Sequence, residues 1–287
     1  MNKYIYSNKL SEAKPYPSGL KGIPRKFFRH IRLSYLDLVN KSCNDKFLRP
    51  LFCHYVFDDQ VEKFEKIIIE LKKIGTFIDT DTCIDMLEGK KAIDGKYFHL
   101  SFDDGFRNIY TNAAPVLKKH NIPAIIFVPS SIIDADYSTV KKYCLETTQY
   151  KGVIEMLTWD DLAVLISDGF DIGSHTKNHY RFSDMSGNLS LLEEELLGSK
   201  QEIEKRLGIE CKYIACPYGG IKDVNNVSLD MTKEVGYNAC FGAYRGSVIP
   251  DKTNRYFIPR HHFESQWPIS HIKFFLRGNM EYKSLKD

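Results

Sequence analysis

At 287 residues the chain is long enough for one large domain or two small ones, either with a substantial core. Its 43% hydrophobic and 27% charged residues exclude a disordered, collagen-like or coiled-coil polymer. Forty Lys and Arg against 37 Asp and Glu leave a net charge of +3, too balanced for a protein that wraps nucleic acid, and none is expected as a partner.

The N-terminal stretch has its own character. Between residues 13 and 36 there is no acidic side chain, while Lys14, Lys21, Arg25, Lys26, Arg29 and Arg32 are interleaved with Phe27, Phe28, Ile31, Leu33 and Leu36. That mixture suits a solvated arm packed on the domain, or a basic amphipathic segment in peripheral contact with an anionic membrane surface. Residues 1–48 are therefore set apart as a basic extension, with 49–287 as the main domain. No apolar secretory core is present, and no run nears the ~18 apolar residues of a spanning helix. The expected location is cytoplasmic, at the inner face of the membrane if the basic segment engages lipid.

Past this extension, short apolar runs alternate with stretches of helical period. Residues 51–55, 97–102, 124–128, 170–174, 213–216, 239–243 and 256–259 read as buried strands. Residues 61–73, with Phe64, Ile67, Ile68 and Leu71 at helical spacing, read as a helix, as do 113–120, 159–167, 189–207, 229–235 and 269–276. Gly75, Gly169, Gly208 and Gly236 follow four of them, where a left-handed cap is wanted. Strand then helix, repeated about seven times, implies a barrel-like α/β fold. Residues 134–155 carry no clear assignment and are expected to form a loop or lid over one end of the barrel. The seven cysteines include no Cys-x-x-Cys pair and read as reduced thiols, not a disulfide framework.

Four polar clusters each follow a predicted strand: Asp103-Asp104-Gly105, His175 with His179, Pro217-Tyr218-Gly219, and Arg260-His261-His262. In a barrel of parallel strands these positions share the C-terminal rim, where active sites are built. His175 and His179, four apart, would present both imidazoles on one face of a helical turn capped by Ser174. Asp103 and Asp104 point in opposite directions from a strand end, so one can ligate a cation while the other faces its water, although Asp-Asp-Gly is also good turn chemistry. Two His and one Asp leave a coordination position open, the pattern of catalytic zinc-like sites. His54, after the first strand, lies on the same rim and reads as a core or supporting residue.

The segment Leu100-Ser101-Phe102-Asp103-Asp104-Gly105 resembles the Thr-Phe-Asp-Asp-Gly motif of the polysaccharide deacetylases, the NodB-homology enzymes of carbohydrate esterase family 4. Ser174-His175-Thr176-Lys177-Asn178-His179 is similar to their His-(Ser/Thr)-x-x-His motif. Residues 113–117 with 122–124, and 157–159 leading through Gly169 to His175, extend the likeness over roughly residues 50–278. The resemblance implies a distorted (β/α)7 barrel, and makes 49–287 the catalytic domain of an N-deacetylase acting on an N-acetylated saccharide or glycoconjugate. It implies Asp104, His175 and His179 as ligands of a divalent ion, Zn2+ before Co2+, Ni2+ or Fe2+, and Asp103 as the general base. The Tyr218 backbone N–H would stabilise the oxyanion, with Pro217 and Tyr218 lining the substrate site. Trp159 would stack on a sugar ring, or else act as a packing anchor.

Two departures from the family pattern stand out. The third motif, usually Arg-x-Pro-Tyr, reads Ala215-Cys216-Pro217-Tyr218, so the Arg that orients the base is missing there. Arg260 is expected to supply that guanidinium from a later strand end. The last motif offers His261 and His262, and strand alternation puts His262 on the face of Arg260, making it the expected acid. Without an export signal, an intermediate of surface-polysaccharide or lipopolysaccharide biosynthesis is the expected substrate. An amidase on a small non-sugar amide, or a non-catalytic carbohydrate-binding barrel, are the alternatives.

Overall fold

The computed structural model describes residues 5–14, 32–33, 35 and 45–282. The amphipathic reading of residues 13–36 lies almost wholly outside them. Among the described residues, no helix is long and apolar enough to cross a membrane.

Among the described residues, eight parallel strands make one sheet: β1 Phe47–Cys53, β2 Thr76–Ile78, β3 Lys96–Phe102, β4 Ile125–Val128, β5 Asp171–Ser174, β6 Tyr213–Ala215, β7 Ala239–Phe241 and β8 His261–His262. Seven of them follow the order β7-β6-β5-β4-β3-β1-β8, and β2 pairs with the first half of β3. The curled sheet closes through residues 255–263. Ile258 pairs with Phe241, its N–H donating to Cys240 and its carbonyl accepting from Gly242. Three residues later the chain pairs with β1 instead, through Leu51 with His261 and Phe52 with His262. This is the distorted (β/α)7 barrel that the sequence implied.

The strand alternation sorts side chains into two layers. In β3, Phe98, Leu100 and Phe102 face the surrounding helices, while His99 and Ser101 face inward. In β4, Ile126 and Val128 face out and Ile125 and Phe127 face in. Gly173 of β5 is inward, and a Cβ there would lie 2.6 Å from the Phe127 ring. The glycine is what lets that ring fill the barrel. The helices around the outside include α2 Val61–Lys72, α4 Ala114–Lys119, α6 Trp159–Ser167, α7 Phe182–Met185, α8 Leu189–Leu207, α9 Asn226–Glu234 and α10 Ile269–Leu276, with α1 the short Leu10–Ala13 turn.

Some expectations shift. β1 begins at Phe47 rather than residue 51, because Arg49 and Pro50 interrupt the apolar run that marks a strand. Arg49 is nonetheless buried, paired with Glu281 at 2.8 Å and lying over the Phe47 ring. Pro50 is tolerated because alternate residues of β1 bond to β3, leaving its missing N–H on the short β8 side. The strand expected at 256–259 is a single bridge at Ile258, and β8 follows it. β2 and the next helix, α3 Thr80–Leu87, had no apolar signature; Asp79 caps α3 by accepting from the Thr82 N–H at 2.7 Å. Gly75 does not sit in a left-handed cap. Its small size is required because a Cβ would lie 2.5 Å from the Lys96 carbonyl oxygen.

Residues 134–155 are not a bare loop. They contain α5 Tyr137–Lys142, continued by a wide turn Tyr143–Thr147, and pack with the N-terminal residues in a separate apolar layer. Leu10, Ala13, Tyr55, Phe106, Tyr143, Tyr150 and Met156 form this cap above the barrel's C-terminal rim. The Ser7 N–H donates to Val153 and the Lys151 N–H to Ala13, so residues 5–14 belong to the domain and not to a detached extension.

Candidate active site

Inward parity at the strand ends brings distant residues to one rim. Asp103 follows β3, and its N–H extends the ladder by donating to Cys53 at 3.1 Å. His175 follows β5, His54 follows β1, and His262 pairs beside inward Phe52. Asp103, Asp104, His175, His179, Tyr218, His54 and His262 all line one cavity of about 620 Å3.

Asp104, His175 and His179 are buried with their ligand atoms within 4.8 Å of one another. His179 Nε2 lies 3.2 Å and His175 Nε2 3.7 Å from Asp104 Oδ1. His175 Nδ1–H donates to the Ala215 carbonyl at 2.8 Å, which turns its Nε2 lone pair toward the cluster. Burial holds the His175 ring neutral, down to about 4, against the opposing pull of Asp103. Burial opposes the charge of Asp104, but the hydrogen bond from His179 and the nearby imidazoles outweigh it, keeping the carboxyl ionised. A buried carboxylate facing two imidazole nitrogens fits a divalent cation of borderline softness.

The turn carrying these histidines is not the helical one expected from their spacing. Thr176 and His179 both have left-handed backbones, φ 62 and 63°. Local hydrogen bonds hold them there: Thr176 N–H donates to Ser174 Oγ, and His179 N–H to Thr176 Oγ1, each at 3.1 Å. Glu195 of α8 clamps the turn from behind, accepting from the Asn178 N–H at 2.8 Å and from its side chain at 2.5 Å. Backbone strain gathers here. Of the nine described non-glycine residues with positive φ, Asp104, Gln149, Thr176, His179 and Tyr218 are all at this site, at roughly 1–3 kcal/mol each.

Asp103 meets a fully buried Arg260 in a two-pronged pair, Nη1 to Oδ1 at 2.7 Å and Nη2 to Oδ2 at 2.8 Å. Arg260 sits where the closing segment changes partner. Its Nε donates to Gly242 and its guanidinium lies over Phe52 at 4.4 Å. Burial would push Asp103 up, but the guanidinium overrides this and holds it below the usual carboxylate range. The position where the family motif carries Arg is here the buried Ala215.

A second cluster was not legible in the sequence. Glu264 Oε1 accepts from both His54 Nδ1 and His262 Nε2, each at 2.9 Å. Burial disfavours a charged His54, but Glu264, with Asp104 and Asp103 behind it, raises the ring to about 9. Burial lowers His262 instead, against the pull of Glu264. His261 faces the other way, buried beside Glu281 at 3.4 Å.

Of the residues expected to contact substrate, Tyr218 lines the cavity, its ring 5.2 Å from His179 and stacked by Arg181. Pro217 is buried and does not line it. Trp159 does not line it either; starting α6 behind the histidine turn, it borders a different groove. Nothing in the sequence singles out Glu264: one acid two residues past His262 is unremarkable until β8 is folded.

A family model described as polysaccharide deacetylase matches residues 90–240, just over half of the chain. The chain belongs to the polysaccharide deacetylase family. A poly-β-1,6-N-acetyl-D-glucosamine N-deacetylase of Staphylococcus aureus (strain MSSA476) is 29% identical over 161 residues, covering 56% of this chain and 52% of that protein. Its counterpart in Staphylococcus epidermidis (strain ATCC 35984) is 30% identical over 163 residues, with the same shares. The chain thus spans about half the length of the curated relatives it matches. The polysaccharide deacetylase fold is also that of IcaB from Ammonifex degensii, with a TM-score of 0.68 at 21% identity over 81% of this chain and 97% of that one. The deacetylase PplD from Streptococcus pyogenes, in complex with acetate, gives 0.66 at 17% over 83% and 100%.

Proposed function

We propose that this deacetylase-family chain hydrolyses the acetamide of an N-acetylated surface-polysaccharide precursor or polymer, using a divalent ion held by Asp104, His175 and His179. Zn2+ suits this donor set best, with Co2+, Ni2+ or Fe2+ able to replace it. When bound, the ion supplies a Lewis acid that acidifies water and polarises the acetamide carbonyl. Asp103, ionised and aimed by Arg260, accepts the proton of the attacking water. The Tyr218 backbone N–H donates to the developing oxyanion. His54 and His262, sharing Glu264 on the cavity wall, hand a proton to the departing amine. The names of the staphylococcal relatives make poly-β-1,6-N-acetylglucosamine the first substrate to try.

The observation that carries this reading is the meeting of the Asp-His-His cluster with an ionised, Arg-clamped carboxylate in one cavity. The test is acetate release from N-acetylglucosamine oligomers by metal-loaded wild type and Asp103→Asn, with metal content measured in both. Acetate from the wild type alone, at equal metal content, is the expected result. Bound metal with no acetate from any N-acetyl sugar would leave a binding barrel.

A further inference from the structure

Behind the histidine turn lies a separate cavity of about 370 Å3. Part of its wall is the Trp159 indole, half-buried against the main core, with the Arg206 guanidinium over the ring 5.8 Å from its centre. Asp134, Glu202 and Lys177 complete the rim, and Ser130 lies at its base. Ser130 is only 4% exposed, and its Oγ has no hydrogen-bond partner. A buried hydroxyl left unpaired is costly, so it points to a missing ligand group.

We propose that this groove is a second saccharide-binding site, holding a sugar ring against Trp159 away from the cleavage site. The proposal rests on the glycan-deacetylase reading. An aromatic plane offers the apolar face that a pyranose C–H surface covers. The surrounding polar groups are mixed, two acids and two bases, so the rim has no net charge with which to select phosphate or nucleic acid. Arg206 is already paired with Glu202 at 2.7 Å, and Asp134 accepts from the Trp159 N–H at 3.2 Å. These pairs hold donors and acceptors in fixed positions, as neutral hydroxyls require. The base of the groove is also the support of the active site. Ser130 N–H donates to Thr176, and Ser131 Oγ donates to Lys177, within the turn between His175 and His179.

The probe is a β-1,6-linked N-acetylglucosamine pentamer, titrated calorimetrically into the full metal-loaded Asp103→Asn chain with and without Trp159→Ala. Affinity should fall about tenfold with Trp159→Ala, as for loss of one stacked ring. Trp159→Phe should recover most of it, and Ser130→Ala should weaken binding while raising the melting temperature. On an otherwise wild-type background, Trp159→Ala should leave acetate release from a disaccharide unchanged. If Trp159→Ala fails to fold, Arg206→Ser on the exposed face of α8 takes its place, with a several-fold loss expected. Pentamer affinity within twofold of the parent in the folded variants, or no pentamer binding at all, overturns the groove. A chain that releases no acetate but binds the pentamer through Trp159 keeps the groove and loses the deacetylase reading.

Discussion

Arg260 and Asp103 are both buried charges, so neither can lose its partner cheaply. Arg260→Met should destabilise the fold by about 3–5 kcal/mol, the cost of an uncompensated buried carboxylate. Its activity should fall on the order of 100-fold or more as Asp103 protonates. Metal content should stay near wild type, because Arg260 touches none of Asp104, His175 or His179. Arg260→Lys keeps the charge but not the fork, so its acidic rate limb should move to higher pH as burial regains Asp103. An unmoved limb in Arg260→Lys would separate the pair from catalysis. The His54 ring rises from 6.5 to about 9 on folding. Its contribution to stability is therefore full below pH 6.5 and lost as pH rises through 9. His54→Gln should remove that alkaline loss and depress turnover. Melts of the metal-free chains at pH 6, 7.5 and 9.5 that run parallel for wild type and His54→Gln would contradict it. The sequence offered Arg260 as a stand-in for the arginine missing from the third family motif, and strand alternation then chose His262 over His261. It undervalued His54 because one histidine after a strand is common, and only the carboxylate of Glu264, 210 residues later, gives it a partner.

At the scale of elements, the periodic segments were readable and the short ones were not. The helices Trp159–Ser167, Leu189–Leu207 and Ile269–Leu276 end where the apolar period and capping residues say they should. β2 and α3 were missed because three residues or a polar-rich helix leave too little period to detect. The histidine turn was found but given the wrong geometry, since a spacing of four does not distinguish a helix from a left-handed turn. What decides it is Glu195, whose backbone carbonyl also accepts from the Lys177 N–H at 3.0 Å. Glu195 is fully buried, so its carboxylate is committed to this turn. Glu195→Ala should lower metal affinity by about tenfold, as for loss of a group orienting the ligands. It should also lower the melting temperature in the apo chain, which a change in the ligands alone would not. Glu195→Gln keeps one acceptor and should fall between the two. Equilibrium dialysis and apo-state melts check this, and wild-type metal affinity in Glu195→Ala would refute the clamp.

The whole barrel has an asymmetry that no single element contains. Its N-terminal end is plugged by α3, with Thr80 donating to Asp171 at 2.8 Å and Ile84, Met86 and Leu87 joining the inner apolar layer. Its C-terminal rim is joined by polar groups instead: Arg260 ties the closing segment to Asp103 after β3, and Asp104 faces the histidines after β5. A bound ion would therefore act as a cross-link between β3 and β5 as well as a reagent. An ion at ~1,000 times its dissociation constant stabilises the folded state by about 4 kcal/mol. For a domain of this size that is on the order of ten degrees in melting temperature. Chelation should lower the melting temperature by that order, and Zn2+ should restore it in a concentration-dependent way. The loss should be local. Amide exchange should quicken in residues 102–106, 174–180 and the overlying cap at 134–155, where Tyr143 donates to Asp104 at 3.4 Å. The α3 plug and the inner layer around Ile125 and Phe127, which share no ligand with the rim, should keep their protection. Uniform deprotection of both ends would mean that the ion holds the whole fold, while unchanged exchange at the rim would mean that Asp104, His175 and His179 do not bind it.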